Sequence, residues 1–228
     1  MDTMYGKETA SVIRDLNSQG IDKLSLVLRH SARDYHRDIQ LEPFMCLTDQ
    51  GRDMALHLGT LFPENLCLSF FSSHIGRCIE TAYLIDKGFV KKTGGFTENN
   101  RVSRTMAPFY VRDVNHVVDL VMGGDVLTFI RNWIDGRIPE TVLMNARDAA
   151  EQILRFMAGC LRESERNTLQ VSVTHDWSIY LLKEFGLDLP HENYGKIAYL
   201  EGVVLFEKDG GIFITNHQKE PIPLNFPL

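Results

Sequence analysis

Three short apolar runs constrain this chain more than anything else in it. Each passes directly into polar and charged residues and then into a helical pattern. Residues 24–28 (LSLVL) feed Arg29, His30, Ser31 and Arg33; residues 66–71 (LCLSFF) feed Ser72, Ser73 and Arg77; residues 169–173 (LQVSV) feed Thr174, His175 and Asp176. Apolar runs of about four to eight residues, bounded by polar breakers, read as strands buried on both faces. Strands that alternate with helices predict an α/β fold, a three-layer α/β/α sandwich around a mostly parallel sheet. In such sheets ligands gather beyond the carboxyl ends of the strands, so the three junctions are expected along one edge.

The helical patterns between the runs fit that plan. Residues 9–17 carry Val12, Ile13 and Leu16 on one face and are closed by Gly20, a residue that tolerates the left-handed cap conformation. Thr48 is placed to cap a helix with Met54, Leu58 and Leu61 on its apolar face. After Ser73, the residues Ile75, Cys78, Ile79, Ala82, Ile85 and Phe89 recur at three- and four-residue spacing, with Arg77 off that stripe. Residues 91–100 form a loop rich in Lys, Gly and Asn, and 101–105 read as a third short strand. Residues 108–139 are less regular, with one helix from Asp125 to Ile134, and a longer helix follows from Thr141 to Cys160. Another helix starts just after His175-Asp176 and stops at Gly186. Near the end, residues 198–207 and 212–215 flank Asp209-Gly210, a strong signal for a C-terminal β-hairpin because both turn positions need positive φ. The proline-containing last residues are expected to be an extended tail. No linker or repeat divides the sequence, so 1–228 is expected to be a single domain, with a helical cap insertion over roughly residues 98–140.

The residues at the junctions carry the chemistry. An arginine's planar fork suits phosphate oxygens and stays charged, while a histidine can be a nucleophile or a proton carrier near neutral pH. Singly, each has a plainer reading: a surface arginine, a hydrogen-bonded structural histidine, an aspartate that merely caps a helix. Together they place Arg29, Arg33, Arg77, His30, His175 and Asp176 where an α/β sheet puts its reactive ends. His57, His74, His116, His191 and His217 have no such setting and are read as structural or solvent-exposed. The loop after Arg33 adds Tyr35, His36 and Arg37, of which Tyr35 and Arg37 are expected at the entrance with the 98–140 region.

Composition narrows the partners. A net charge of −6 offers no general attraction to nucleic acid or an anionic membrane, so an anionic ligand needs a local positive pocket. No apolar run approaches the roughly 20 residues of a membrane span, and the first residues lack the apolar core of a signal peptide. The cysteines, Cys46, Cys67, Cys78 and Cys160, are scattered without a C-x-x-C pair. They read as buried small hydrophobes in a reducing compartment, hence a cytoplasmic protein, and no metal site or cofactor is expected.

With these residues in place, the chain resembles the histidine phosphatase superfamily, the phosphoglycerate-mutase-like fold. The superfamily's Arg-His-Gly signature stands here as Arg29-His30-Ser31, extended by Arg33 in the manner of the acid phosphatase branch. Its Leu-Thr-x-x-Gly pattern is matched by Leu47, Thr48 and Gly51. The Ser-Ser-x-x-x-Arg-x-x-x-Thr-Ala pattern is matched by Ser72, Ser73, Arg77, Thr81 and Ala82, and the late His-Asp pair by His175-Asp176. The landmarks follow the family's order over most of the chain. The resemblance implies a metal-independent phosphomonoesterase acting on a small phosphorylated substrate. His30 would form a phosphohistidine, with Arg29 and His175 as further catalytic groups. Arg33, Arg77, Ser73 and Arg37 would bind the substrate, and Asp176 would be proton donor. Ser31 departs from the usual glycine and is expected to put a side chain at the pocket floor. Mutase-like members draw the proton from a carboxylate elsewhere, for which Glu98, Asp113 and Asp119 are the fallbacks. A phosphomutase and a non-catalytic phospho-ligand binder remain the alternatives. Neither the substrate nor the oligomeric state is readable from the sequence.

Overall fold

A computed structural model describes residues 5–95 and 100–226. One seven-stranded sheet runs through it in the order β3-β2-β4-β1-β5-β6-β7, formed by β1 (Lys23–Arg29), β2 (Cys67–Ser72), β3 (Arg101–Val102), β4 (Thr168–Thr174), β5 (Gly202–Lys208), β6 (Gly211–Asn216) and β7 (Lys219–Pro223). The first four strands in that order pair in parallel and the last three are antiparallel. Helices cover both faces. α1 (Lys7–Ser18), α2 (Asp49–Leu61) and α3 (Gly76–Thr93) share a core with Leu24, Leu26 and Leu28 of β1. On the other face, Val27 of β1 packs with α6 (Ala146–Glu163) and α7 (Asp176–Leu181). Alternate residues of β1 thus serve opposite layers, which is why the 24–28 run is apolar but for Ser25, whose hydroxyl bonds to Gln170.

α2 and α3 cross unusually closely. A Cβ on Gly59 would lie 1.9 Å from the Ile85 carbonyl oxygen, and one on Gly88 would lie 1.9 Å from that of Leu56. Glycine at both positions lets the two backbones meet. Thr48 caps α2 as expected, its Oγ1 accepting from Gly51 N at 3.0 Å.

α4 (Val114–Met122) and α5 (Val126–Ile134) lie before α6, and Val117, Phe129, Ile130 and Trp133 join them to its core. Asp125 caps α5 by accepting from Thr128 N. α4 is absent from the sequence expectation because its valine-rich stretch is helical in spite of low intrinsic propensity, and only Val117 of it is buried. α6 begins at Ala146 rather than Thr141. Asn145 supplies the cap, while Val142 O accepts from Arg112 N and Met144 O from Trp133 Nε1, which hold the preceding residues out of the helix. α7 runs into a π-helical turn, Leu182–Gly186, and a short α8 (His191–Tyr194) follows.

The hairpin forms at Asp209-Gly210, with φ of 52° and 78°. The expected extended tail is instead a third strand of this meander: β7 pairs with β6, and its prolines sit at the sheet edge, where no ladder hydrogen bond is lost. No helix among the described residues is long and apolar enough to cross a membrane.

Candidate active site

Strand register assembles the site. Arg29 is level with Thr174 across β1 and β4, and Ser72 is level with Val173 across β2 and β4. The ladder continues one residue beyond the strands: His30 N donates to Thr174 O at 2.9 Å and Ser73 N to Val173 O at 3.0 Å. His30, Ser73 and His175 therefore leave the sheet side by side, and the His30 and His175 rings lie 5.6 Å apart.

The backbone fixes His30's reactive atom. Its Nδ1 lies 2.8 Å from the Ser31 carbonyl, an acceptor, so Nδ1 carries the proton and Nε2 keeps its lone pair. Arg77 Nε donates to that lone pair at 3.1 Å. Arg77 also reaches His175 Nδ1 at 3.5 Å, which assigns the His175 proton to Nε2, 3.1 Å from Ser73 Oγ. Arg29 donates through Nη1 to Ile197 O at 2.6 Å, pairs with Asp176 at 3.3 Å and lies over the Tyr199 ring. Its Nε is buried and finds no hydrogen-bond partner among the described residues. Arg33 pairs with Glu42 at 2.5 Å.

Burial decides the protonation of the two histidines. His30 is 3% and His175 6% exposed. Desolvation pushes the His30 pKa well below its ordinary value, and the nearby His175, Arg77 and Arg29 push it further. The same cause, followed by the fields of Arg77, Arg29, Arg33 and His74, brings His175 down to about 3. Both rings are neutral at physiological pH, so the positive charge of the cluster belongs to the arginines. Burial likewise raises Cys78 to about 12, which leaves it a thiol beside His175. Of the four cysteines expected to be buried only Cys78 is, since Cys46 lies in the loop after Arg33 and Cys67 at the start of β2, and both are exposed.

A stability test follows. The unfolded chain protonates both histidines around pH 6.5, while the folded chain keeps them neutral. Below that value the unfolded state binds more protons, so stability falls as pH falls. Between about pH 7 and about pH 5.5 the two together should remove on the order of 2 kcal/mol. A urea midpoint that does not move over this interval would contradict their burial as neutral rings.

Not every expected residue enters the cluster. Arg37 is exposed, and none of the described hydrogen bonds or ion pairs that tie the cluster together runs to it. Tyr35 reaches back, its Oη 2.6 Å from Tyr199 Oη. Among the fallback donors, Asp113 caps α4 by accepting from His116 N, Asp119 lines a groove on α4, and Glu98 lies outside the described residues. Ser31 does not intrude on the pocket floor as expected. Its Oγ donates to Gly51 O at 2.7 Å and its N–H to Thr81 Oγ1 at 3.1 Å, so the extra hydroxyl ties the His30 loop to α2. Gly51 is needed there, since a Cβ would lie 2.1 Å from Ala32 O. Sequence reasoning missed Glu42 and Tyr199. It also missed a buried ion pair, Lys183 Nζ to Glu201 Oε1 at 2.7 Å, which underlies the loop bearing Tyr199. A lysine among the apolar residues Leu181, Leu182 and Phe185, close to a glycine-stopped helix end, was the available hint.

Comparison with solved structures places this architecture. A mycobacterial glucosyl-3-phosphoglycerate phosphatase in complex with VO3 superposes with a TM-score of 0.55 at 19% identity, over 85% of this chain and 98% of that one. A phosphoserine phosphatase mutant from Entamoeba histolytica in complex with phosphoserine gives 0.51 at 14% identity, over 85% and 95%. A protein described as mycobacterial hydrolase 1 gives 0.55 at 18%, over 90% and 97%. The chain has the phosphoglycerate-mutase-like fold. No family model and no curated protein matches the sequence, so the likeness lies in the fold. In this fold the cluster of Arg29, His30, Arg77, His175 and Asp176 occupies the carboxyl edge of the sheet, where ligands of α/β proteins collect.

Proposed function

We propose that the protein is a phosphomonoesterase of the histidine phosphatase superfamily, working through a phosphohistidine on His30. The observation that carries the reading is the Nδ1–H of His30 held on the Ser31 carbonyl. It leaves a neutral Nε2 lone pair against Arg77, with Arg29 also near enough to act on the ring. A nucleophile that stays unprotonated beside cations that bind its target is what phosphoryl transfer needs.

The steps balance as follows. Nε2 attacks phosphorus in line and forms the N–P bond while the ester P–O bond breaks. Asp176 gives its proton to the departing oxygen. Water then attacks the phosphohistidine, Asp176 takes that water's proton, and inorganic phosphate leaves with His30 neutral again. Arg29, Arg33 and Arg77 bind the equatorial oxygens and offset the spreading charge. A bound phosphoryl group also competes with Asp176 for Arg29, 3.3 Å away.

The substrate is a small phosphomonoester, and the reaction uses no metal. Glucosyl-3-phosphoglycerate and phosphoserine, named for the similar structures, are natural first compounds to assay. The cysteines are unpaired thiols, in keeping with a cytoplasmic setting. Phosphate release should be detected from a panel of small phosphomonoesters, with the rate unchanged by a chelator. A panel that yields none, or a rate abolished by chelation, would reject the reading.

A further inference from the structure

Between Arg33 and Leu47 the chain makes an excursion over the site. Its neck is pinned by an antiparallel bridge of Arg33 with Leu47 and by Asp34 N to Cys46 O at 3.0 Å. Its tip is a 3-10 turn, Ile39–Phe44, capped by Asp38, whose side chain accepts from Gln40 N. None of the described side chains from 34 to 45 is buried, and Phe44 is 74% exposed. Apolar burial therefore does not hold this strap down.

Polar contacts to the cationic cluster do. Glu42 puts its carboxylate 2.5 Å from Arg33 Nη2 and its carbonyl oxygen 2.7 Å from Arg77 Nη1. Arg77, so held, lays its Nε on the His30 lone pair at 3.1 Å. At the strap's base, Tyr35 bonds to Tyr199. The carboxylate thus stands on a group that would bind a phosphoryl oxygen, and the carbonyl keeps a second such group over the nucleophile.

We propose that Glu42 is an internal ligand of the phosphoryl site, a latch that a substrate's phosphate must displace from Arg33 and Arg77. This rests on the reading of the cluster as a phosphoryl site. A dianionic phosphate offers these guanidiniums more charge and more acceptors than one carboxylate does. Its arrival frees Arg77 from His30 and lets the strap swing about its pinned neck. Because the latched form binds no phosphate, the apparent affinity is the intrinsic affinity reduced by the unlatched fraction. Glu42 in this way sets a threshold against weakly held anions and selects for full phosphomonoester dianions.

The test compares inorganic phosphate binding, by titration calorimetry, to the wild-type protein, Glu42→Gln and Glu42→Ala. Gln keeps the length of the side chain and removes its charge, so it guards against simple collapse of the strap. Both variants should bind phosphate about tenfold more tightly, and in turnover KM should fall while kcat holds. Unchanged or weaker binding in both variants would overturn the latch and leave the phosphatase reading standing. A collapse of kcat would make Glu42 a catalytic acid and overturn the latch too. Absence of phosphate binding in all three proteins would remove the phosphoryl-site reading and the latch with it.

Discussion

Replacing His30 by alanine should end turnover, with a loss of at least roughly 10⁴-fold, and leave phosphate binding in place. The wild-type protein, quenched during turnover of a radiolabelled ester, should carry an acid-labile and alkali-stable label, and His30→Ala should carry none. The expectation follows from a division of labour visible in the contacts. His30 contributes a neutral ring whose Nδ1 is engaged by backbone and whose Nε2 faces Arg77. The groups proposed to hold an anion, Arg29, Arg33 and Arg77, are anchored by other partners: the Ile197 carbonyl, the Asp34 carbonyl and the Glu42 carbonyl. Removing the ring leaves those anchors intact. It also frees Arg77 Nε, so phosphate should bind at least as well as before. A label that persists in the variant would place the nucleophile on another residue.

The parts of this site differ in how far the sequence discloses them. The apolar runs of β1, β2 and β4 announce buried strands because apolar residues dominate them, and polar exceptions such as Ser25 and Gln170 bond to each other inside the sheet. That their ends meet depends on pairing register, which level pairs such as Arg29 with Thr174 establish; the alternation of strand and helix predicts it only in outline. Ser31 shows the limit from the other side. By residue type it looked like an obstacle in the pocket, but χ rotation aims its hydroxyl at the Gly51 carbonyl instead. Gly51 itself is legible as a pattern, while its reason, the approach of α2 to Ala32 O, exists only in three dimensions. Glu42 lay in a polar loop with no periodicity to mark it, and Tyr199 precedes β5 by a short turn in which Leu200 takes a φ of 59°. Both depend on chain reversals that no local rule specifies.

The second large effect concerns Asp176, and its size depends on the leaving group. Asp176→Asn should lower turnover of an alkyl phosphate by about 10²–10⁴-fold, the usual worth of general acid–base catalysis. The same variant should still form the phosphoenzyme at near-normal rate from an aryl phosphate with an acidic phenol, which departs as an anion without a proton. Asparagine keeps the Oδ1 that accepts from Trp177 N at 3.0 Å, so the start of α7 stays capped and the geometry is retained. It also removes the charge that pairs with Arg29, so phosphate binding should not weaken, and a lower kcat with an unchanged or smaller KM is the pattern to expect. On the proposed mechanism, hydrolysis of the phosphohistidine uses Asp176 as base, and the aryl substrate should therefore show a burst of phenol followed by slow turnover. Burst amplitude and steady rate separate the two roles. Equal losses for alkyl and aryl esters, with no burst, would take the proton-donor role away from Asp176 and direct the search to Glu42, the other carboxylate in contact with the cationic cluster among the described residues.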